Sequence, residues 1–238
     1  MRAESGRQIG ARTGIELATR SILHAAVGPL LTSAAGFLDA IGYTHLTGLY
    51  VSFMSGNSTR LGVAIAQGDR PTLLPCALVI ASFVAGAFVG SLISGTPRRF
   101  RLPAILTTEI LLLLTAMALS SRVEGYAALL PVCIAMGIQN AGHETIVGVE
   151  LGKSFITGFL FNLGKTLAQL ALCRNGAAQA LAYGMSWGAF LAGVILGSIA
   201  LAHLGLTIAI AAACLLLGIL MIMAICDELS APAGAEDP

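Results

Sequence analysis

Charged residues are scarce in this sequence. Only 11% of its 238 residues are charged, whereas 56% are hydrophobic and the mean hydropathy is +0.86. Soluble domains carry about 25% charged residues, so a soluble fold of this size would have too little polar surface to cover its core. The composition excludes an ordinary soluble domain and predicts a protein embedded in the lipid bilayer.

The sequence also lacks the signatures of several function classes. A net charge of +1 argues against a nucleic-acid partner, which would need a clustered basic face. The five cysteines form no C-x-x-C pair, so we interpret them as small apolar residues. His143-Glu144 is not followed by histidine at position 147, which rules out the zinc motif H-E-x-x-H. With no catalytic arrangement in view, we expect no enzyme, no metal and no cofactor.

The two ends of the chain are polar. Residues 1–21 carry arginines and no convincing cleavage site follows them, so a cytoplasmic tail is expected rather than a signal peptide. Residues 227–238 are acidic and rich in alanine and proline, which is typical of a short disordered tail. A single transmembrane domain is predicted between them, over residues 22–226.

Apolar segments follow one another through this domain. About twenty apolar residues cross a bilayer as a helix. Segments of this kind occupy residues 22–44, 49–68, 72–95, 102–120, 126–147, 153–171, 180–202 and 204–226. Four of them, the first, second, fifth and sixth, hold polar residues and glycines near their middle. Broken or re-entrant helices are expected at two of these, the second and the sixth.

Three short islands of sequence recur in the same order. "GFLDA" at 36–40 matches "GIQNA" at 137–141, and "SFMSG" at 52–56 matches "SFITG" at 154–158. "FVAGAFVGS" at 83–91 matches "FLAGVILGS" at 190–198. The spacing between the islands is nearly constant. We therefore predict a tandem duplication, with repeats over about 25–120 and 126–226.

The distribution of lysine and arginine indicates how these segments cross the membrane. If the second and sixth segments return to the side they enter, only Arg70 and Arg122 lie outside among the basic residues between segments. That arrangement agrees best with the positive-inside rule. It predicts an all-α protein of about six transmembrane helices, built as two inverted three-span repeats with a cytoplasmic amino terminus. Eight spans arranged four plus four are the alternative.

Ionisable residues within these segments mark a candidate site, because such groups are costly in lipid and face a cavity or a partner. Asp39, between Gly36 and Gly42, is the sharpest candidate, and Asn140 is its counterpart in the second repeat. Asp39 either binds or relays a cation, or pairs structurally with Arg60 or Lys165; both readings stay open. Glu109 is a further candidate charge partner.

The glycines of the recurring island predict a break at which nearby hydroxyls and amides satisfy free backbone groups or bind a solute. The full candidate set for solute or ion binding is Asp39, Ser55, Gly56, Asn57, Thr59, Asn140, Thr157 and Gly158.

The same residues carry a resemblance to a known family. "AGFLDAIGYTHLTGLYVSFMSGNSTRLGVAIAQGD" at 35–69, with "GIQNA" and "TGFLFNLG" in the second half, resembles the YoaK-like multi-pass membrane proteins, domain of unknown function 1275. Ser55 stands where the family's threonine is expected, and it keeps the hydroxyl. The resemblance implies about six transmembrane helices, a bacterial inner membrane and a permease-like role without an established activity.

The sequence thus leads to two functional hypotheses. The first is a small-solute or ion transporter whose polar site lies near the midplane, between the repeats. The second is a non-transporting scaffold or partner subunit in which the polar motifs are interhelical packing contacts. Partners expected in either case are the lipid bilayer and, through the G-x-x-x-G spacings, a second copy of the chain.

Overall fold

The computed structural model describes residues 27–96, 98–123, 125–141, 144–146, 149–151 and 156–229. The predicted tail of residues 1–21, the start of the first segment, Lys153, and the residues beyond 229 lie outside these ranges.

The described chain is a series of helices with one small hairpin. Helix α1 covers residues 27–45, α2 Met54–Gln67, α3 Arg70–Ser94 and α4 Arg98–Ser120. A 3-10 turn, Gly125–Leu129, leads into α5, Leu130–Gln139, and two short strands follow, β1 Glu144–Ile146 and β2 Val149–Leu151. Helices α6, Ile156–Ala171, and α7, Ala177–Leu229, complete the order.

Within the described ranges, three helices are long and apolar enough to cross a membrane, over Arg70–Ser94, Phe100–Ser120 and Ala177–Cys226. Helices α2 and α6, with 14 and 16 residues, are about 21 and 24 Å long at about 1.5 Å per residue. Both are shorter than the hydrocarbon core of about 30 Å. The second segment, residues 49–68, is therefore partly non-helical, since α2 begins only at Met54. The described part of the sixth segment, residues 156–171, is helical.

Helix α7 is two helices joined at a break. Its 53 residues would extend about 80 Å as one straight rod, far beyond the bilayer. Gly205 interrupts it with φ 78° and ψ 171°, a conformation that only glycine adopts without strain. We call residues 177–204 the first arm and 206–229 the second arm. The break falls at the start of the eighth predicted segment, two residues after the predicted boundary at residue 203.

The hairpin was not predicted from the sequence. The fifth apolar segment was expected to be helical to residue 147, but α5 ends at Gln139 and strand β1 begins at Glu144. The strands pair antiparallel, with Glu144 opposite Leu151 and Ile146 opposite Val149. β-Branched residues favour strands, and "TIVGV" supplies four of them around a glycine. Hydropathy alone does not separate this run from the helix before it.

Two close helix crossings link the first part of the chain to the second. At one crossing, a Cβ on Gly36 of α1 would meet the Phe190 carbonyl of α7, and one on Gly193 would meet the Ser33 carbonyl. At the other, a Cβ on Gly137 of α5 would meet the Phe83 carbonyl of α3, and one on Gly86 would meet the Ile134 carbonyl. Glycine is required at all four positions because the backbones touch.

The two crossings use the same residues of the recurring islands. Gly36 and Gly137 are matched positions, as are the Phe-x-x-Gly pairs of α3 and of the first arm of α7. The buried faces of α4 and of the second arm also share one spacing. They consist of Ile105, Leu106, Glu109, Leu113 and Ala116 on α4, and of Ala209, Ile210, Ala213, Leu217 and Leu220 on the second arm.

Helices α1 and α5 lie side by side in opposite directions. Near one end of the pair, the Gln139 amide donates to the Leu31 carbonyl at 3.1 Å. Towards the other end, the Asp39 carboxylate lies within electrostatic range of the Cys133 thiol. The order along one helix is reversed along the other, so the pair is antiparallel. These two helices, with α3, α4 and the second arm of α7, contribute the buried apolar core, and Ala200 and Leu201 of the first arm pack against it.

Candidate functional site

Asp39 of α1 is buried, with 3% of its surface exposed, and its carboxylate is fully engaged by the loop before α2. Oδ1 accepts hydrogen bonds from the Val51 amide at 2.9 Å and the Ser52 amide at 2.7 Å. Oδ2 accepts one from the Ser52 hydroxyl at 2.6 Å. Hydrogen bonds to an ionised acceptor are among the stronger ones in proteins, so Asp39 holds residues 51–52 against α1.

Asn57, fully buried near the start of α2, holds the same loop from the other side. Its Oδ1 accepts from the Tyr50 amide at 3.0 Å, and its Nδ2 donates to the Tyr50 carbonyl at 2.7 Å. One side chain thus satisfies both backbone groups of a residue in an irregular segment, which is what irregular backbone in a membrane requires. Asp39 and Asn57 together form what we call the loop clamp.

The sequence left open a pairing of Asp39 with Arg60 or Lys165, and the clamp shows different partners. Arg60 donates from Nη1 to the Thr47 carbonyl at 2.5 Å, at the exposed end of the loop. Thr47 and Gly48 there have positive φ values of 52° and 95°. Arg60 therefore fastens the tip of the loop, while Asp39 fastens its base with neutral donors.

The remaining predicted residues of the first half lie on α2. Ser55 and Thr59 are exposed, and the Thr59 hydroxyl donates to the Ser55 carbonyl at 3.0 Å within the helix. A Cβ on Gly56 would contact the rings of Phe53 and Tyr50. Gly56 thus lets the loop residues pack on α2.

The predicted residues of the second half lie apart from the clamp. Asn140 follows α5, and its amide donates to the Met136 carbonyl at 2.7 Å. Because α1 and α5 are antiparallel, Asp39 and Asn140 lie towards opposite ends of their contact. Thr157 is exposed and Gly158 is buried in the first turn of α6. Of the predicted residues, Asp39 and Asn57 therefore contact the same loop. Asn140 lies away from that loop and bonds within its own helix end.

A polar cleft lies between α6 and the first arm of α7. It has a volume of about 180 Å³ and is lined by Asn162, Lys165, Thr166, Gln169, Gln179 and Tyr183. The four residues from α6 recur at intervals of three and four, which puts them on one helix face. The two from α7 are four apart and share a face in the same way.

The cleft offers one cation and several neutral hydrogen-bonding groups. Lys165 supplies an ammonium group, and three carboxamides and the Tyr183 phenol supply donors and acceptors. No acid of the described chain lines the cleft. The Thr166 hydroxyl is used within α6, donating to the Asn162 and Leu163 carbonyls at 2.9 and 3.0 Å. Of these residues, the sequence placed only Lys165 among the candidate site residues, as a possible charge partner. The polar face of "NLGKTLAQ" was the signal that could have identified the others.

Glu109 is a second fully buried acid, on α4. Neither of its carboxyl oxygens has a hydrogen-bond partner among the described residues. In the same part of the chain, no three His, Cys, Asp or Glu side chains gather as metal ligands would.

The loop clamp is built from the motifs that carry the family resemblance, and these motifs lie within the part of the chain that matches a known family. A family described as "Protein of unknown function (DUF1275)" matches residues 27–223. The chain belongs to the DUF1275 family. In this DUF1275 protein the G-F-x-D-A motif supplies the close-packed Gly36 and the clamp residue Asp39, and S-G-N supplies Asn57.

Relatives of this DUF1275 protein are described as transmembrane proteins. It is 35% identical over 189 residues to the UPF0700 transmembrane protein RA0705 of Rhizobium meliloti, covering 78% of this chain and 80% of the relative. It is 26% identical over 141 residues to the UPF0700 transmembrane protein YoaK of Bacillus subtilis, covering 56% and 63%. No solved structure matches the chain. With the long apolar helices, these relatives support a location in a membrane.

Proposed function

We propose that this protein is a transporter of small polar solutes or ions in the bacterial inner membrane. The observation that carries the proposal is the polar cleft between α6 and α7. A 180 Å³ space lined by six polar side chains is costly in an apolar helical protein unless water or a solute uses it. In membrane proteins, polar cavities beside short, interrupted helices are typical of solute pathways.

The solute is a small anion or a neutral molecule rich in hydrogen-bonding groups. Lys165 gives the cleft a positive charge, and no lining residue offsets it. Carboxamides from Asn162, Gln169 and Gln179 can donate to a carboxylate or phosphate oxygen and can accept from a hydroxyl. A cation would meet repulsion from Lys165, so cations are the less favoured solutes.

The transporter is built from two inverted three-span repeats. The reciprocal crossings support a duplication, because α1 packs on the first arm of α7 through the residues by which α5 packs on α3. The antiparallel contact of α1 with α5 supports inversion. Parallel four-span halves would place these matched helices in the same direction. Six spans also leave the amino terminus in the cytoplasm, in agreement with the positive-inside rule.

In this proposal Asp39 positions the loop before α2 and does not itself meet the solute. Three donors already engage its two oxygens, and the loop shields it from the surface. Of the two roles considered for Asp39, cation binding and structural pairing, we therefore adopt structural pairing. Its partners are the loop amides of Val51 and Ser52 and the Ser52 hydroxyl.

A scaffold without transport activity is the second candidate. The closed loop clamp and the tight glycine crossings favour it, because both are contacts that hold helices together. A scaffold does not explain why Lys165 lines a polar cleft without an acidic partner among the described lining residues. Transport is therefore the preferred function.

A ligand screen on the purified chain tests the proposal. Thermal unfolding in detergent is measured with small carboxylates, inorganic phosphate, sugars, amines and alkali metal ions. We expect an anion or polar solute to raise the Tm of the wild-type protein, and Lys165→Gln to weaken that binding about 10- to 100-fold, since a hydrogen bond to a charged group contributes about 1.5–3 kcal/mol.

The matched control is Arg122→Gln, which removes an exposed cation after α4 and should leave the shift unchanged. Proteoliposomes then report uptake of the solute found. If no compound class shifts the Tm and none is taken up, the transporter proposal is wrong and the scaffold remains.

A further inference from the structure

Glu109 lies in the middle of a membrane-spanning helix. The span on α4 runs from Phe100 to Ser120, so Glu109 is about equally far from its two ends. Its side chain is fully buried, and neither carboxyl oxygen has a hydrogen-bond partner among the described residues. The neighbouring hydroxyls bond elsewhere: Thr108 donates to Ala104, and Thr107 to Pro103 and Met221.

An ionised carboxylate in this place would be very costly. Charge at the bilayer centre costs at least about 2.5–3.5 kcal/mol on insertion scales, and an unpaired buried charge is normally neutralised. Asp39 shows the contrast, because three donors surround it and can support a negative charge. Glu109 has none of these, so in this conformation the neutral, protonated acid is favoured.

Among the described residues, no neighbouring charge compensates Glu109 either. Helices α3, α5 and α7 and the 3-10 turn pack against α4. Their described titratable side chains are Arg70, Cys76, Tyr126, Cys133, Tyr183, His203, Cys214 and Cys226. None of these described side chains forms a hydrogen bond to the buried Glu109 carboxyl group or offsets its burial by an opposite charge. Arg101 of α4 is two turns away, about 12 Å along the axis.

Packing alone does not require an acid at this position. The buried faces of α4 and of the second arm of α7 have the same spacing, and Ala213 occupies the position that Glu109 has on α4. A small apolar residue thus serves one half of the protein where the other half has a carboxyl group. A buried acid that is neither paired nor needed for packing points to a functional role.

We propose that Glu109 is a membrane-embedded proton-binding site that releases its proton when the contact between α4 and α7 opens to water. On release the carboxyl O–H bond breaks, the proton passes to water, and the carboxylate remains; rebinding reverses the step. Helix α7 connects this site to the cleft, because its first arm carries Gln179 and Tyr183 and its second arm packs on α4 beyond the break at Gly205. Coupling of the proton to solute movement rests on the proposed function, whereas proton binding does not.

Dicyclohexylcarbodiimide, an apolar reagent for protonated carboxyl groups in membranes, tests the site on the complete protein. We expect peptide mass spectrometry to find the adduct on Glu109, with a labelling rate that falls as pH rises. Asp39 should stay unlabelled, and a water-soluble carbodiimide should leave Glu109 unlabelled. A wild-type protein that is folded and yet unlabelled at Glu109 at every pH would overturn the proposal.

Infrared spectroscopy supplies a second measurement that needs no labelling. The spectrum of the wild-type protein minus that of Glu109→Gln should contain the C=O band of a protonated carboxyl group. A carboxylate band in its place would overturn the proposal. Gln keeps the volume of Glu, and an unchanged Tm confirms that the variant is folded.

The two proposals fail in different ways. If Glu109 is labelled and no solute is taken up, the proton-site proposal stands and the transport proposal is wrong. If uptake is independent of a pH gradient and Glu109 is unlabelled, the transport proposal stands and the proton-site proposal is wrong. If both hold, Glu109→Gln should keep the ligand-induced Tm shift and lose accumulation driven by a pH gradient.

Discussion

Ser52 donates two hydrogen bonds to Asp39, one from its amide to Oδ1 at 2.7 Å and one from its hydroxyl to Oδ2 at 2.6 Å. A residue of an irregular loop is thereby fixed to the buried face of α1. The pair explains how a strongly apolar chain tolerates non-helical backbone before α2, because the carboxylate supplies the acceptors that the helix does not.

Asp39→Asn should destabilise the protein, because an amide offers only one acceptor oxygen and turns a donor towards the Ser52 hydroxyl or the loop amides. We expect a loss of about 2–3 kcal/mol, the scale of a hydrogen bond to a charged group, measured as a lower Tm in detergent. Asp69→Asn is the control, since the Asp69 side chain makes no capping bond to α3. An unchanged Tm with uptake abolished would instead give Asp39 a part in transport.

Asn57→Ala should open the loop on the opposite side. Both backbone groups of Tyr50 lose their partner, and unsatisfied buried groups cost about 1–3 kcal/mol each. Reactivity of a cysteine placed at Thr47 should rise together with the loss of Tm. Ser58→Ala, one residue away on the exposed face of α2, should change neither quantity. Equal behaviour of the two variants would contradict the clamp.

Gly193→Ala should separate α1 from the first arm of α7. The added methyl group would meet the Ser33 carbonyl, and forced overpacking costs about 1–3 kcal/mol. Gly188→Ala, in the same arm, meets open space and should be neutral or stabilising by up to about 1 kcal/mol through helix propensity. Thermal unfolding of the two variants distinguishes a required glycine from a tolerated one. A stable Gly193→Ala protein would contradict the close crossing.

The six-span topology predicts which loops face the cytoplasm. With Cys173 and Cys226, the exposed thiols, replaced by serine, a cysteine at Thr96 should react only from the inside. A cysteine at Ser121 should react only from the outside. Impermeant maleimide on intact cells and on inverted vesicles measures this. The opposite result at both positions would favour eight spans.

Much of the architecture follows from one-dimensional patterns. Hydropathy located α3 and α4 within a few residues, and the break near Gly205 separated two apolar segments that are each long enough to span. The shared islands marked Gly36, Gly137, Gly86 and Gly193 as matched positions. The hairpin at Glu144–Leu151 was missed, because a short β-branched run has the hydropathy of a helix end.

The sequence by itself determined that this is a helical membrane protein with interrupted segments, because apolar length and glycine placement are local properties. Only the tertiary structure decided what the polar residues do. Asp39 is bound by a loop 12 residues further along the chain, Lys165 lines a cleft with residues of another helix, and Glu109 has no partner at all in the described chain. A buried polar group takes its role from whichever group packs against it, and no single segment contains that information.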